Sequence, residues 1–233
     1  RQRQMCIRDR IDTGVTGIAY ETVTSSDGSM PLLAPMSTIA GQLAFVVGSY
    51  HLLKHNKGKG VMIGHMDDMD PRVVTVIGAG VAGTQSILKA IDNKALVKVV
   101  DSSQSKLDDL KSKYGTENIE YILSSKDSIQ VSVNESDLVI GSVYVVGKEA
   151  PKVVTKDMLS SMNPGTVMVD VSIDQGGCFE TSKPTTHDSP TFLENDIVHY
   201  CVTNMPGAVP LTATEALNKA VSYTHLRAHE TDT

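Results

Sequence analysis

The sequence predicts an α/β fold, a doubly wound parallel sheet, with small remnants of a second domain. Two observations predict it. From residue 73 onward, short aliphatic, β-branched runs alternate with polar, helix-compatible stretches. One of those runs turns directly into the string Gly-x-Gly-x-x-Gly. The apolar runs are nearly continuous rather than alternating, which suits strands covered on both faces. The stretches between them are long enough for the crossover helices that parallel strands require.

Taken in order, residues 11–31 read as the end of another domain, with a strand at Gly17 to Thr22 and a turn at Asp27-Gly28. Ser37 to Lys54 reads as one helix, Ser37 being its N-cap after Pro35. Ile39, Leu43, Val46, Val47 and Tyr50 recur there at helical spacing, and Lys57-Gly58-Lys59-Gly60 ends the helix as a loop. The strand candidates are Val73 to Ile77, Leu96 to Val100, Ile119 to Leu123, Leu138 to Val143, Val167 to Ser172 and Val198 to Val202. Thr212 to Ala220 reads as the start of a helix leaving the unit. The main domain is therefore expected over residues 32–210, with a return helix beginning over 211–220.

The two ends carry a different signal. Met5 to Arg10 can be encoded by ATG TGT ATA AGA GAC AG, and Val221 to His225 by GTC TCT TAT ACA CAT. The second string lies inside the reverse complement of the first, as a sequencing-library adaptor read in opposite directions would. Residues 1–10 and 221–233 are accordingly expected to be non-native flanks, with the natural protein longer at both ends.

The 233 residues carry a formal charge of −6, which disfavours nucleic acid or an anionic membrane as partner. The Lys54 to Lys59 cluster is short and suits a solvated loop. No apolar run reaches the ~20 residues of a membrane span. Cys6, Cys178 and Cys201 are odd in number and lack metal-type spacing, so neither a disulfide framework nor a metal site is expected, and a reducing cytoplasm fits best.

The glycine string is Val76-Ile77-Gly78-Ala79-Gly80-Val81-Ala82-Gly83. Gly78 permits a tight turn, Gly80 lets the backbone approach a pyrophosphate, and Gly83 lets the helix pack close to the strand. The helix N-terminus offers free N–H groups and partial positive charge to the phosphates. The next strand ends in Asp101, where an acid binds the ribose hydroxyls of a dinucleotide in a Rossmann domain. A carboxylate there repels a 2′-phosphate, so NAD is favoured over NADP. An ordinary strand-end Asp opening a turn before Ser102-Ser103 is the plainer reading. Lys106, one helical turn on, either steers the cofactor or is an exposed lysine.

Four further strings identify a family: Pro31-Leu32-Leu33-Ala34-Pro35-Met36-Ser37, Val169 through Glu180, Pro184-Thr185-Thr186-His187, and Asn204-Met205-Pro206-Gly207-Ala208-Val209-Pro210. With the glycine motif they closely resemble alanine dehydrogenase, over roughly residues 17–220. The resemblance implies conversion of L-alanine, NAD and water to pyruvate, ammonia and NADH, and usually a homo-hexamer. It implies cofactor contacts at Ser37, Asp101, Lys106, Ser124, Val143, Tyr144, Asn204 and Met205, and a catalytic aspartate at Asp174. Such chemistry needs proton transfer and stabilisation of a cationic intermediate, and a positioned carboxylate serves both. Without the resemblance, Asp174 equally suits a turn before Gly176-Gly177.

The remaining candidates read as structural. His199 sits inside an aliphatic strand, His187 anchors a Pro-containing loop, and Cys178 packs as a small residue without an apparent base. The sequence also departs from the family. Lys183 stands where an arginine is usual; the resemblance implies a cofactor contact there too, weakened because a lysine cannot reproduce the bidentate grip on phosphate. Gln42 replaces another arginine, and His65-Met66-Asp67-Asp68-Met69 replaces a Gly/Pro-rich loop. The substrate domain, with its histidine, arginine and lysine, is mostly absent, so this chain alone is expected to bind NAD and not to turn over alanine. Two rivals are the NAD-binding subunit of a proton-translocating transhydrogenase and a non-catalytic NAD-sensing Rossmann protein.

Overall fold

The run Val73–Ile77 forms β1, the centre of the sheet, with β2 (Leu96–Asp101) paired on one side and β4 (Leu138–Gly141) on the other, both parallel. The structure, a computed structural model, describes residues 13–16, 19–64, 66–145 and 148–230. β3 (Ile119–Leu123) adds parallel outside β2, and β5 (Val167–Asp170) and β7 (Ile197–Tyr200) add parallel beyond β4. An antiparallel strand, β6 (Thr191–Glu194), closes that edge, giving seven strands in the order β3-β2-β1-β4-β5-β7-β6. The chain reverses its winding direction between β1 and β4. Helices α1 (Ala34–His51), α2 (Val81–Asp92), α3 (Gln104–Tyr114), α4 (Lys126–Glu135) and α5 (Pro210–Glu230) complete the regular elements.

The strands hold because both faces are buried. Val74, Val76, Val97, Val99, Leu138, Ile140, Val167 and Val169 fill one cluster with residues of α1 and α2. Ile77, Val100, Val139 and Met168 fill the opposite one with Met158, Leu159 and Phe179. Each buried large aliphatic side chain contributes about 1.5–3 kcal/mol. Two-sided burial of this kind is what makes the runs read as continuous rather than alternating.

Several expectations are corrected. α1 begins at Ala34 with Leu33 as its cap residue, so Ser37 lies in the first turn and its N–H already bonds Leu33 O. Val46 and Tyr50 are exposed, and the buried face runs instead through Ile39, Ala40, Gly41, Ala44, Phe45, Gly48 and His51. Small residues let the helix nest: a Cβ on Gly41 would meet Ala82 O at 2.0 Å, and one on Gly48 would meet Leu138 Cδ1 at 2.5 Å. These contacts run α1 antiparallel to the central strands, with its N-terminal turn at their carboxyl ends. Within the expected strand at 17–22, Tyr20–Thr22 form a single 3-10 turn, while Gly17 lies outside the described residues, as do the flank 1–10 with its Cys6, and His65. The turn at Asp27-Gly28 is present, with Gly28 N donating to Ser25 O. The fourth and fifth strands stop at Gly141 and Asp170, and the last runs one residue earlier than expected and ends at Tyr200. α5 starts at Pro210 and stays helical to Glu230, through residues read as flank.

Lys59 is not a solvated loop residue. Its ammonium donates to Asp137 Oδ1 at 2.8 Å and to Ser136 O at 3.0 Å, with both charged side chains largely buried. Asp137 Oδ2 accepts from Val73 N, so this pair fixes the start of β1 against the turn before β4. Burial makes such a pair costly to break by removing one partner.

Candidate functional site

Ligands of open α/β sheets collect outside the carboxyl ends of the strands where the winding reverses. Here that point is the crevice between β1 and β4. Gly78 follows β1 at φ 97, and a Cβ on it would meet Ser142 O at 2.7 Å. Ser142, at the end of β4, donates its N–H to Ile77 O and its hydroxyl to Gly78 O at 2.7 Å. A Cβ on Gly83 would meet Gly78 O at 1.8 Å, so α2 can approach β1 only without a side chain there. Gly80 caps α2 with no side-chain bond to the helix amides, and a Cβ on it would meet nothing within 4 Å. Free first-turn N–H groups facing open space make a seat for a phosphate. Beside it, an open cleft of about 440 Å³ is lined by Gly80, Val81, Thr84 and Lys106, among others.

Asp101 ends β2 and is 8% exposed, its carboxylate facing the glycine turn. Oδ2 accepts from Ala79 N at 2.7 Å, and Oδ1 from Ser103 N at 2.9 Å. Ser103 caps α3 by accepting from Lys106 N. Ser124, following β3, donates its N–H to Asp101 O at 2.9 Å. Asp101, Lys106, Ser124 and the three glycines thus converge on one end of the sheet.

The second half of the site follows β4 and β5. Val143 O accepts from Ser172 Oγ at 2.8 Å, and Val145 O from Gln175 Nε2 at 3.3 Å. Tyr144 is exposed, its hydroxyl 3.8 Å from Met30 Sδ in the segment before α1. Asp174 sits exposed in the 3-10 turn Val171–Gln175, and its Oδ2 accepts from Asn204 N at 3.4 Å. Asn204 holds a left-handed conformation at φ 55, ahead of a 3-10 turn in which Met205 is buried. The structure therefore brings Asp174, Asn204, Val143 and Tyr144 to the carboxyl end of the sheet as well. Ser37 lies in the N-terminal turn of α1 at that same end.

Lys183 is not brought there. It is exposed, lies 3.5 Å from Glu194 on the edge strand β6 and sits over the Phe192 ring. His187 packs beside the Asn204 turn: a Cβ on Gly207 would lie 3.4 Å from its Nε2. His199 is fully buried between Thr181 Oγ1 at 2.8 Å and Ile197 O at 3.1 Å, and burial holds its pKa below the ordinary imidazole value. Burial, reinforced by the nearby Asp170 charge, pushes the Cys178 thiol well above its usual range and Cys201 up to about 12. Neither thiol is poised as a nucleophile. Among the described residues, no cluster of three or more His, Cys, Asp or Glu could hold a metal, and no helix is long and apolar enough to cross a membrane.

Three residues escaped sequence reading. Ser142 ties the two loops of the crevice together. Lys152 braces the turn after Asp174, donating to Gly176 O and to Gly177 O at 2.7 Å. Asp170, wholly buried at the end of β5, accepts from the backbone of Ser172, Cys178 and Phe179 and from the Ser182 hydroxyl. Burial pushes its carboxyl above the usual range, and these donors oppose the shift. The string Val-Asp-Val gave no hint of it, because its partners come from residues up to twelve positions away.

A glycine-rich turn at the sheet's switch point, faced by an acid at the end of the neighbouring strand, defines a Rossmann-type domain of the doubly wound class. The chain belongs to the alanine dehydrogenase/PNT family: the model of that family's C-terminal domain matches residues 44–232. It is 50% identical over 210 residues to the alanine dehydrogenase of Halomonas elongata, covering 90% of this chain and 56% of that protein. It is 47% identical over 216 residues to the alanine dehydrogenase of Mycobacterium tuberculosis, covering 92% and 58%. Among solved structures, an L-alanine dehydrogenase superposes with a TM-score of 0.84 at 41% identity, covering 92% of this chain and 61% of that one. A transhydrogenase from Sinorhizobium meliloti shares the fold, with a TM-score of 0.70 at 22% identity over 82% of this chain and 54% of that one. The chain thus spans less than two thirds of the length of the relatives it matches.

Proposed function

We propose that this chain is the cofactor-binding part of an NAD-dependent alanine dehydrogenase, which interconverts L-alanine and pyruvate with release of ammonia. The observation that carries the reading is the placement of Asp174 against Asn204, on the sheet end that also holds the glycine turn and Asp101. The names of the relatives supply the substrate.

The residues present fit NAD. The uncapped tip of α2 and the open space at Gly80 seat a pyrophosphate, and Asp101 keeps spare lone pairs for ribose hydroxyls. Lys106 and Ser124 would help to hold that sugar, and Val143, Tyr144, Asn204, Met205 and Ser37 would contact the rest of the cofactor. Lys183, held by Glu194 and Phe192, is left out of the set. When bound, NAD supplies the acceptor for the electrons leaving the substrate α-carbon. Asp174 takes a proton from the water that adds at the oxidised carbon and returns one to the departing amine. Exposure lets its carboxylate exchange that proton with solvent, while the bond from Asn204 N–H fixes its direction.

By the same reading the protein works as a cytoplasmic homo-oligomer, a hexamer, on small molecules. The test is an NADH-coupled assay of the full-length gene product with L-alanine, using serine and glycine as controls. Turnover of alanine is expected, and Asp174→Asn is expected to cut kcat while leaving NADH binding nearly unchanged. A full-length protein that binds NADH and leaves alanine untouched would refute the proposal.

A further inference from the structure

The segment carrying Asp174 leaves the sheet at Asp170, turns through Val171–Gln175 and returns at Cys178-Phe179. One carboxylate holds both limbs. Asp170 Oδ1 accepts from Ser172 N at 3.0 Å on the outgoing limb. Its Oδ2 accepts from Cys178 N at 2.9 Å, Phe179 N at 3.3 Å and Ser182 Oγ at 2.5 Å on the returning one. The Cys178 thiol adds a weak contact to Oδ1 at 3.5 Å. A helix cap would need only the first of these bonds. The approach is so close that a Cβ on Gly177 would lie 2.7 Å from Oδ2.

We propose that Asp170 is a positioning residue for catalysis, fixing the reach of Asp174 by tying both ends of the 171–179 excursion to its two oxygens. The inference rests on the role given to Asp174 above. All the groups bonded to Asp170 are neutral donors, so an ionised carboxylate satisfies every one of them. An asparagine satisfies one limb only, because its amide NH₂ must face a backbone N–H on the other. The tie is backed by Ser172 Oγ on Val143 O and by Lys152 on the Gly176 and Gly177 carbonyls, so the excursion has few other ways to settle. A displacement of about 1 Å at a reacting group costs on the order of 100-fold in rate.

The test is a double-mutant cycle in the full-length protein. Asp170→Asn is expected to lower kcat on the order of 100-fold with KM for NAD unchanged, and amide exchange at Ser172 or Cys178 is expected to quicken. In an Asp174→Asn background the same change is expected to cost no further kcat, since it acts through the group already removed. Ser182→Ala, which deletes one donor and spares the rest, is expected to repeat the pattern in milder form should Asp170→Asn fail to fold. If the two losses multiply, Asp170 supports the fold generally and this inference alone is overturned. If Asp174→Asn leaves kcat unchanged, the role of Asp174 falls and this inference with it.

Discussion

Asp101→Asn isolates the contact expected to choose the cofactor. The carboxylate has about four lone-pair sites. Two are taken by Ala79 N at 2.7 Å and Ser103 N at 2.9 Å, which leaves two for ribose hydroxyls. Asparagine keeps one oxygen, and its NH₂ must oppose one of those backbone donors, so the side chain both loses an acceptor and disturbs the glycine turn. A hydrogen bond to a charged group contributes about 1.5–3 kcal/mol, and 1.4 kcal/mol is a factor of ten in affinity. Loss of one such bond is expected to raise the Kd for NADH by about 10- to 100-fold. Binding of NADPH is expected to weaken less or to improve, because the charge that repels a 2′-phosphate is gone. The assay is a fluorescence titration of this chain with each nucleotide, after circular dichroism has shown the variant folded. Unchanged affinity for both nucleotides would remove Asp101 from the ribose site.

Two predictions concern stability. Lys59→Ala leaves the buried Asp137 carboxylate with only Val73 N of its two partners, and is expected to cost about 3 kcal/mol in urea unfolding; a loss below about 1 kcal/mol would show the pair to be incidental. His199 has a folded pKa below its unfolded one, so the unfolded chain takes up the proton first and stability drains as pH falls below about 6.5. Buried His51 acts in the same direction. His199→Gln is expected to flatten the fall in Tm between about pH 6.5 and 5 relative to the parent, and parallel Tm profiles for the two proteins would contradict it.

The parallel strands were legible because their β-branched runs are buried on both faces, which leaves a continuous apolar signature. β6 was not, since Thr191–Glu194 has one apolar pair and follows Pro190. A signal was present: Asn195 and Asp196 both adopt positive φ, 51 and 60, the pairing that turns a tight hairpin. α1 was found, but its buried face was sought among large residues. Close approach to α2 and to β4 favours small residues such as Gly41, Ala44 and Gly48, whose hydropathy says little. The glycine turn and Asp101 were readable because local backbone demands dictate them. Asp170 and Ser142 were not, because their roles exist only once distant segments fold back.

The hairpin that ends the sheet has a further consequence. An exposed strand offers unpaired amides to any other extended chain. β6 is four residues long, is reversed at once by two left-handed residues, and carries Glu194 beside Lys156 and Lys183. A second chain laid along it would find few consecutive free groups and would have to strip water from three charges. That border is thereby guarded against runaway strand stacking, which leaves β3, at the opposite edge, as the longer strand open to pairing.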